Sequence, residues 1–277
     1  FLKPHGLCFG PDVATSARAT LGGMIANNSS GAHVPVYGTT AAHVRALELV
    51  LSDGRVETIG RGYDTLHDLH RAVNSAITNH AESIRDRFPS TIDKRWPGYG
   101  LDLYLRSESD LTKVLAGSEG TLAMIASADL GLNPLPKQKG LCLIYVNSIP
   151  DAAHATLDIL DLKPAAIELI DDILWESTRG QIAFKEARAL LGWDDHPCKA
   201  ILIVEFFEDI DDRIALLAKR DIGVRKLVVT NAREMEMVWT LRKAGLSLLT
   251  GCKGSAKPVP GIEDIAVPPQ RLPDYVN

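Results

Sequence analysis

The chain has 277 residues, of which 45% are hydrophobic and 23% are charged, and its formal net charge is -5. This composition is typical of a soluble globular protein that is long enough for two domains or one large one. The mild acidity gives no support for nucleic-acid binding, which favours a clustered basic face. No apolar run approaches the roughly 18 residues of a membrane-spanning helix, so none is predicted.

The four cysteines, Cys8, Cys142, Cys198 and Cys252, lie far apart in the sequence. They form no CxxC pair, so neither a zinc ribbon nor an iron–sulfur cluster is predicted. Isolated cysteines are typical of buried thiols in a reducing compartment, and the first ten residues do not have the pattern of a signal peptide. We therefore expect a cytoplasmic protein, with membrane association through an electron acceptor left open.

The first informative stretch is glycine-rich and polar, and it runs from Pro11 to Gly38. Gly22, Gly23 and Gly31 have no Cβ, so the backbone there can press against a ligand. Short donors and acceptors share the stretch: Thr15, Ser16, Thr20, Asn27, Asn28, Ser29 and Ser30. Such groups suit a phosphate or a polar heterocycle. The alternative is a Gly/Ser-rich surface loop.

The next segments predict a β-hairpin and then helices. Val44–Leu51 is typical of a buried strand, and the Asp-Gly turn after it favours a hairpin with VETIG. Apolar residues at helical spacing predict a helix over Leu66–Ala81, with Ala81–Arg87 continuing it.

A second glycine turn, Gly117–Thr121, follows a predicted short helix over Asp110–Ala116 that has Ser109 as its N-cap. The apolar segment LAMIASADLGL after the turn predicts a strand. Glu119 in this turn could be a general acid or base, or simply a solvated turn residue.

The tract from Asn133 to Gly140 has two prolines, two lysines and a glycine, and it predicts a linker between domains 1–136 and 137–277. Strands and helices then alternate in a split βαβ, ferredoxin-like pattern. The predicted strands are Leu141–Val146, Ala165–Ile170, Ala200–Phe207 and Leu227–Thr230, and the predicted helices are Ile149–Leu160, Asp171–Thr178 and Asp211–Arg220.

Two long motifs in order carry a family resemblance: ATLGGMIANNSSG…YG with ALELVLSDGRVETIG, and LAGSEGTLAMIASADLGLNPLP. They resemble the second half of the FAD-binding domain of PCMH-type (vanillyl-alcohol oxidase) flavoproteins, in the branch of FAD-linked D-2-hydroxy-acid dehydrogenases. The resemblance implies an α+β fold: a PCMH-type FAD-binding domain over 1–136 and a partial ferredoxin-like cap over 137–277. It also implies an antiparallel cap sheet with helices on one face, and an internal fragment without the family's N-terminal pyrophosphate loop.

The resemblance implies FAD as the cofactor and assigns it a set of contact residues. These residues are Pro11, Ser16, Thr20, Gly22, Gly23, Asn27, Asn28, Ser30, Gly31, Tyr37, Gly38, Glu119, Gly120, Thr121 and Ile125. A looser match around Arg95, Tyr99 and Asp102 favours a plain surface loop.

For the substrate, the motif Trp239-Thr240-Leu241-Arg242 resembles the family helix whose arginine clamps a carboxylate. Arg242 and, more weakly, Lys257 are the implied substrate-binding residues, although Leu246 stands where the family has a hydroxyl. Glu263 and Asp264 more simply order the cap. The resemblance places the catalytic base and a metal-bearing histidine cluster beyond Asn277, so no metal is expected here. Of the eight histidines, only His33 has a plausible place near the flavin.

The implied activity is FAD-dependent oxidation of a small 2-hydroxy acid of the lactate, glycolate or 2-hydroxyglutarate class, with an unidentified electron acceptor and oligomeric state. Two alternatives stay open. One is another flavoprotein of the same fold, such as an alcohol or sugar oxidase or an ether-lipid synthase. The other is a non-catalytic remnant of the fold.

Overall fold

The computed structural model describes residues 1–88, 92, 98–251, 254–255 and 265–277. The chain folds into two compact units, Phe1–Leu135 and Pro136–Asn277. All paired strands are antiparallel and helices accompany them in both units, so the predicted α+β class is confirmed.

The first unit is built around a three-stranded sheet of order β3-β2-β4, with a separate two-residue ladder between β1 and β5. Its elements are β1 (Leu7–Cys8), α1 (Leu21–Asn27), α2 (Val34–Tyr37), α3 (Thr40–His43), β2 (Val44–Val50), β3 (Val56–Gly60), α4 (His67–Thr78), α5 (Ala81–Arg87), α6 (Leu101–Arg106), α7 (Thr112–Leu115), β4 (Met124–Leu130) and β5 (Asn133–Pro134). A 3-10 turn over Lys3–His5 precedes β1.

The predicted hairpin is confirmed, because β2 and β3 pair across the Asp-Gly turn. Leu47 and Leu49 of β2 pack in a buried cluster with Ile59 of β3 and Ile25 of α1. The central strand thus anchors the glycine-rich stretch to the core through α1.

Several predicted boundaries in this unit were wrong. The helix predicted to continue into Ala81–Arg87 is two helices, since α4 ends at Thr78 and α5 begins at Ala81. Leu66 has a left-handed backbone, φ 54°, so α4 begins only at His67. Ser109 is not a cap; instead the Asp110 carboxylate accepts hydrogen bonds from the backbone and hydroxyl of Thr112, where α7 begins. The predicted linker starts inside a strand, since Asn133–Pro134 pairs with Leu7–Cys8.

The second unit has a four-stranded antiparallel sheet of order β7-β8-β6-β9. Its elements are β6 (Gly140–Val146), α8 (Ile149–Ile159), β7 (Ala166–Asp171), α9 (Asp172–Ser177), α10 (Lys185–Leu191), β8 (Ala200–Phe206), α11 (Ile210–Ala218), β9 (Arg225–Val229), α12 (Ala232–Lys243), α13 (Gly245–Thr250) and α14 (Leu272–Val276), with 3-10 turns at Leu160–Leu162, Ile182–Phe184 and Pro269–Arg271. This strand order is the ferredoxin-like arrangement that the sequence predicted.

The expectation of helices on only one face of this sheet was wrong. Residues of α9, α10 and α12 pack in one buried cluster against the sheet, and residues of α8 and α11 pack in another. The reason is the composition of β6 and β8, whose residues are all buried. Strands that are apolar on both faces need cover on both faces.

Candidate functional site

Hydrogen bonds join the two glycine-bearing motifs of the first unit. The backbone N–H of Gly117 donates to Ile25 O at 2.9 Å, and that of Glu119 donates to Ala26 O at 2.9 Å. The Asn27 amide donates to Glu119 Oε1 at 2.8 Å. The end of α1 and the turn 117–121 therefore form one continuous surface, although about ninety residues of sequence separate them.

Much of this surface is bare backbone. Thr20 caps α1 by accepting a hydrogen bond from Gly23 N at 3.1 Å. Apart from the adjoining backbone, no described heavy atom lies within 4 Å of the points where Gly22 and Gly120 would carry a Cβ. Gly117 differs, because its φ is +94° and a Cβ would lie 2.4 Å from Gly98 O. Gly117 is thus required by the fold, whereas Gly22 and Gly120 leave open space above the chain.

The second asparagine of the NN pair is used inside the protein. Asn28 has a left-handed backbone, φ 52°, and its Oδ1 accepts a hydrogen bond from Ala41 N at 2.8 Å. Next to it, Ser29 O accepts hydrogen bonds from the backbone and hydroxyl of Thr40 at 2.9 and 2.7 Å. These contacts fix the turn after α1, so the Asn28 side chain acts as a structural tie.

Asp12 is an organising residue that the sequence reasoning missed. Its Oδ2 lies 2.7 Å from Nδ1 of His33, and its Oδ1 accepts from His33 N at 3.3 Å. A Cβ on Gly31 would lie 2.4 Å from the same carboxylate. The carboxylate thus holds the loop that carries Gly31 and His33, and it explains why a glycine stands there.

His43 and Lys113 contact backbone carbonyl oxygens in and around the segment that follows α1. The ring of His43 lies between two carbonyl oxygens, with Nε2 2.8 Å from Tyr37 O and Nδ1 3.2 Å from Gly131 O. The Lys113 ammonium donates to Ala41 O at 2.7 Å and to Val44 O at 3.1 Å. Burial lowers the pKa of Lys113, although Asp110 opposes that shift.

The turn after Gly117 carries a short hydroxyl chain. The Thr121 hydroxyl donates to Ser118 O at 2.6 Å, so it accepts from the Tyr99 hydroxyl, which lies 2.8 Å away. Tyr99 is largely exposed. The segment around Tyr99, which was predicted to be a plain surface loop, therefore contacts the turn 117–121 through the Tyr99 hydroxyl.

The remaining predicted cofactor residues lie around this surface in different settings. Pro11 is buried, Ser16 is exposed in a turn, Ser30 is partly buried, Tyr37 ends α2, and Gly38 follows it with φ +71°. The Ile125 side chain packs against the core cluster, while its neighbour Met124 is 70% exposed. On β4 it is therefore Met124 rather than Ile125 whose side chain faces outward.

This surface fits a flat polar heterocycle with a polar tail. It offers open backbone at Gly22 and Gly120, and a hydroxyl at Thr121. Exposed apolar side chains, Leu21 and Met124, belong to the same two motifs and suit a ring face. Glycines that leave the backbone uncovered are suited to close approach by a ligand.

In the second unit, Arg242 lies near the end of α12, whose start is capped by the Asn231 side chain. Its Nη2 forms an ion pair with Glu168 Oε2 of β7 at 2.6 Å. Its Nε is buried and has no hydrogen-bond partner in the described part of the chain. The structure therefore gives the predicted carboxylate clamp a partner that the sequence reasoning had not identified. Lys257, Glu263 and Asp264 lie outside the described residues.

Three groups in or against the core of this unit have shifted pKa values. Burial raises the pKa of the Cys142 thiol to about 11 and that of Cys198 to about 11. The same cause raises the pKa of Tyr145 to about 12. Both thiols are therefore neutral at ordinary pH. Within residues 1–88, 92, 98–251, 254–255 and 265–277, no three His, Cys, Asp or Glu side chains group as metal ligands.

The fold and the surface suit a flavoprotein, and comparison with known proteins identifies the family. The model described as "FAD binding domain" matches residues 1–60, and the model described as "FAD linked oxidases, C-terminal domain" matches residues 135–277. The second match covers more than half of the chain, so the chain belongs to the FAD-linked oxidases. FAD is the cofactor that both descriptions name.

Similar proteins agree with this family. The chain is 33% identical to the D-2-hydroxyglutarate dehydrogenase of Escherichia coli strain K12, over 100% of this chain and 30% of the relative. It is 26% identical to the glycolate oxidase subunit GlcD of Bacillus subtilis strain 168, over 100% of this chain and 50% of the relative. An alkyldihydroxyacetonephosphate synthase structure shares the fold, with TM-score 0.57, 16% identity, and coverage of 90% of this chain and 40% of the other.

The chain thus spans between about a third and a half of the length of these curated relatives. No helix among the described residues has both the length and the apolar character needed to cross a membrane.

Proposed function

We propose that this chain belongs to an FAD-dependent oxidoreductase that oxidises a D-2-hydroxy acid of the lactate, glycolate or 2-hydroxyglutarate class. One observation carries the cofactor half of the proposal. The two motifs that resemble flavin-binding segments are hydrogen-bonded into one surface by Gly117 and Glu119. The named activities of the 2-hydroxyglutarate and glycolate relatives support the substrate class.

In this proposal residues 1–136 form the cofactor domain and residues 137–277 the substrate domain. The bare backbone at Gly22 and Gly120 lets the cofactor approach closely, and the Asn27–Glu119 pair fixes the surface between them. The segment after α1 carries other contact residues proposed from the family motifs. It is held by hydrogen bonds with Asp12, His43 and Lys113. Bound FAD supplies the acceptor for a hydride from the α-carbon of the substrate.

Arg242 is proposed to bind the substrate carboxylate. Its planar guanidinium can donate two parallel hydrogen bonds to a carboxylate. The Arg242 side chain is 35% exposed, and its Nε has no acceptor in the described part of the chain. Lys257 remains a second candidate for the same role. No base is assigned to a residue of this chain.

A cytoplasmic location and an electron acceptor that reoxidises the flavin belong to the proposal as well. The thiols of Cys8, Cys142 and Cys198 are free, which suits a reducing compartment.

The deciding experiment is the visible absorption spectrum of protein expressed from the complete native reading frame. We expect flavin bands that bleach when D-lactate, glycolate or D-2-hydroxyglutarate is added without oxygen, while the L-enantiomers of the chiral acids leave them unchanged. Bands that persist with every acid would discard the substrate class and favour another flavoprotein activity of the same fold. A colourless protein that does not take up added FAD would overturn the whole proposal.

A further inference from the structure

The direction of the Glu168 side chain follows from the alternation of β7. Ile167 and Leu169 pack against the cluster that contains residues of α8 and α11. Ile170 packs in the opposite cluster, with residues of α9, α10 and α12. Successive side chains of a strand point to opposite faces. Glu168, two residues before Ile170, therefore points to the face that α12 covers.

A carboxylate on an apolar, half-buried strand needs a partner, because burial penalises an unpaired charge. Glu168 Oε2 meets Arg242 Nη2 at 2.6 Å, and the two side chains are only 22% and 35% exposed. Partial burial protects the pair from screening by solvent. The contact therefore restrains a long arginine side chain that would otherwise sample many rotamers.

The pair leaves part of the guanidinium unused. Glu168 meets Nη2, while Nε is buried without an acceptor in the described part of the chain. Beside the group, Gly245 carries no side chain: a Cβ there would lie 3.8 Å from Arg242 Nη1 and 3.3 Å from Leu174. The guanidinium is therefore held at Nη2 and its Nε lacks an acceptor, while 35% of the side chain stays exposed and can meet a further acceptor.

We infer that Glu168 is a positioning residue for substrate recognition. By pairing with Nη2 it fixes the guanidinium of Arg242 so that the remaining donors receive the substrate carboxylate in one geometry. This inference rests on the proposed function of Arg242. When one side chain already holds a binding group in place, less conformational entropy is lost on substrate binding. It therefore improves substrate affinity without touching the substrate.

The test uses protein from the complete native reading frame and the variants Glu168→Ala and Glu168→Gln. Glu168→Ala is expected to raise KM for the 2-hydroxy acid about tenfold with kcat within about twofold, because orientation of the carboxylate is lost in binding. Binding of oxalate, measured by titration calorimetry, should weaken by the same factor, while flavin content stays unchanged. Glu168→Gln keeps an oxygen acceptor and a similar shape, so its KM should stay within about threefold of the unmodified protein.

The matched control is Glu176→Ala, which removes another ion-paired glutamate of the same unit. Glu176 pairs with Arg179 at 2.7 Å and both side chains are well exposed. This variant should leave KM and oxalate binding unchanged. A double variant, Glu168→Ala with Arg242→Ala, should show the KM of Arg242→Ala alone, since Glu168 acts only through Arg242.

The outcomes separate this inference from the proposed function. If Arg242→Ala raises KM but Glu168→Ala leaves KM and oxalate affinity unchanged, Glu168 has no positioning role, while the proposed role of Arg242 stands. A lower KM in Glu168→Ala would also overturn it, because Glu168 would then compete with the substrate for Arg242. If Arg242→Ala leaves KM unchanged, the proposed carboxylate clamp fails and the positioning role fails with it.

Discussion

The two units present their candidate binding groups in opposite ways. In the first unit the surface is mostly backbone, shaped by glycines and held by main-chain hydrogen bonds such as Gly117 N to Ile25 O. In the second unit it is one charged side chain, Arg242, held by one carboxylate. A backbone surface is changed mainly by adding atoms, whereas a side-chain clamp is changed mainly by removing them.

This contrast divides the effects of substitutions. Additions at glycines of the first unit should alter cofactor content and stability, and truncations in the second unit should alter substrate affinity while the cofactor stays bound. Substitutions at Gly117, Arg242 and Gly22 test that division.

Gly117→Ala should destabilise the first unit. The new Cβ would lie 2.4 Å from Gly98 O at a backbone φ of +94°, so the turn must move. We expect a loss of about 3 kcal/mol in the free energy of unfolding, combining backbone strain with overpacking, together with loss of bound flavin. Urea unfolding and the ratio of flavin to protein absorbance measure both. Gly120→Ala is the matched control for the stability measurement only, because it has a positive φ of +72° but open space, and it should cost about 1 kcal/mol.

Arg242→Ala should give the reverse pattern. Removing the guanidinium is expected to raise KM for the 2-hydroxy acid about 100-fold, as for the loss of a charged hydrogen-bonding partner, while the flavin spectrum is unchanged. Steady-state kinetics and the visible spectrum provide the two readouts. Arg242→Lys keeps the charge but loses the planar fork, and it should recover only part of the affinity. Loss of flavin in Arg242→Ala would contradict the division between the units.

Gly22→Ala should separate stability from binding within the first unit. Alanine is the better helix former, so the free energy of unfolding of the flavin-free protein should rise by about 0.5–1 kcal/mol. A Cβ there enters open space, which the cofactor is proposed to approach. We therefore expect a weaker FAD affinity in the more stable variant, as measured by flavin fluorescence titration. Unchanged affinity would show that the cofactor keeps away from this turn.

The smallest predicted effect concerns Cys142 in the buried sheet. Burial raises its pKa from an ordinary 9.0 to about 11. Since the unfolded chain loses this proton first, the contribution of the thiol to stability is complete below about pH 9 and declines as the pH rises towards 11. Iodoacetamide should therefore label Cys142 in urea but not in the native protein at mildly alkaline pH, as read by peptide mass spectrometry. Cys142→Ala should remove this part of the pH dependence.

The sequence predicted most of the regular elements because their signals are local. The Asp-Gly turn between apolar runs indicated the β2–β3 hairpin, and the continuous apolar runs of β6 and β8 indicated strands. Those same runs, buried on both faces, could have indicated two helix layers. The one-sided cap was wrong because it came from the family resemblance and not from the residues.

The predicted cofactor and substrate contacts remain predictions, and the sequence reasoning missed the residues that support them. Asp12 holds the loop at His33, and Glu168 holds Arg242 from a strand more than seventy residues earlier. Both are ordinary carboxylates whose partners are set by tertiary packing, which no local pattern encodes. A charge inside the apolar run AIELID was a usable signal, because such a charge requires a partner.

The two-residue ladder between β1 and β5 has a mechanical consequence. The chain enters and leaves the first unit side by side, with Leu7 opposite Pro134 and Leu135 N bonded to Gly6 O at 2.8 Å. A pulling force applied through these two ends would peel the ladder one hydrogen bond at a time, instead of shearing all of its bonds together. The ladder should therefore open at low tension, before the three-stranded sheet behind it carries any load.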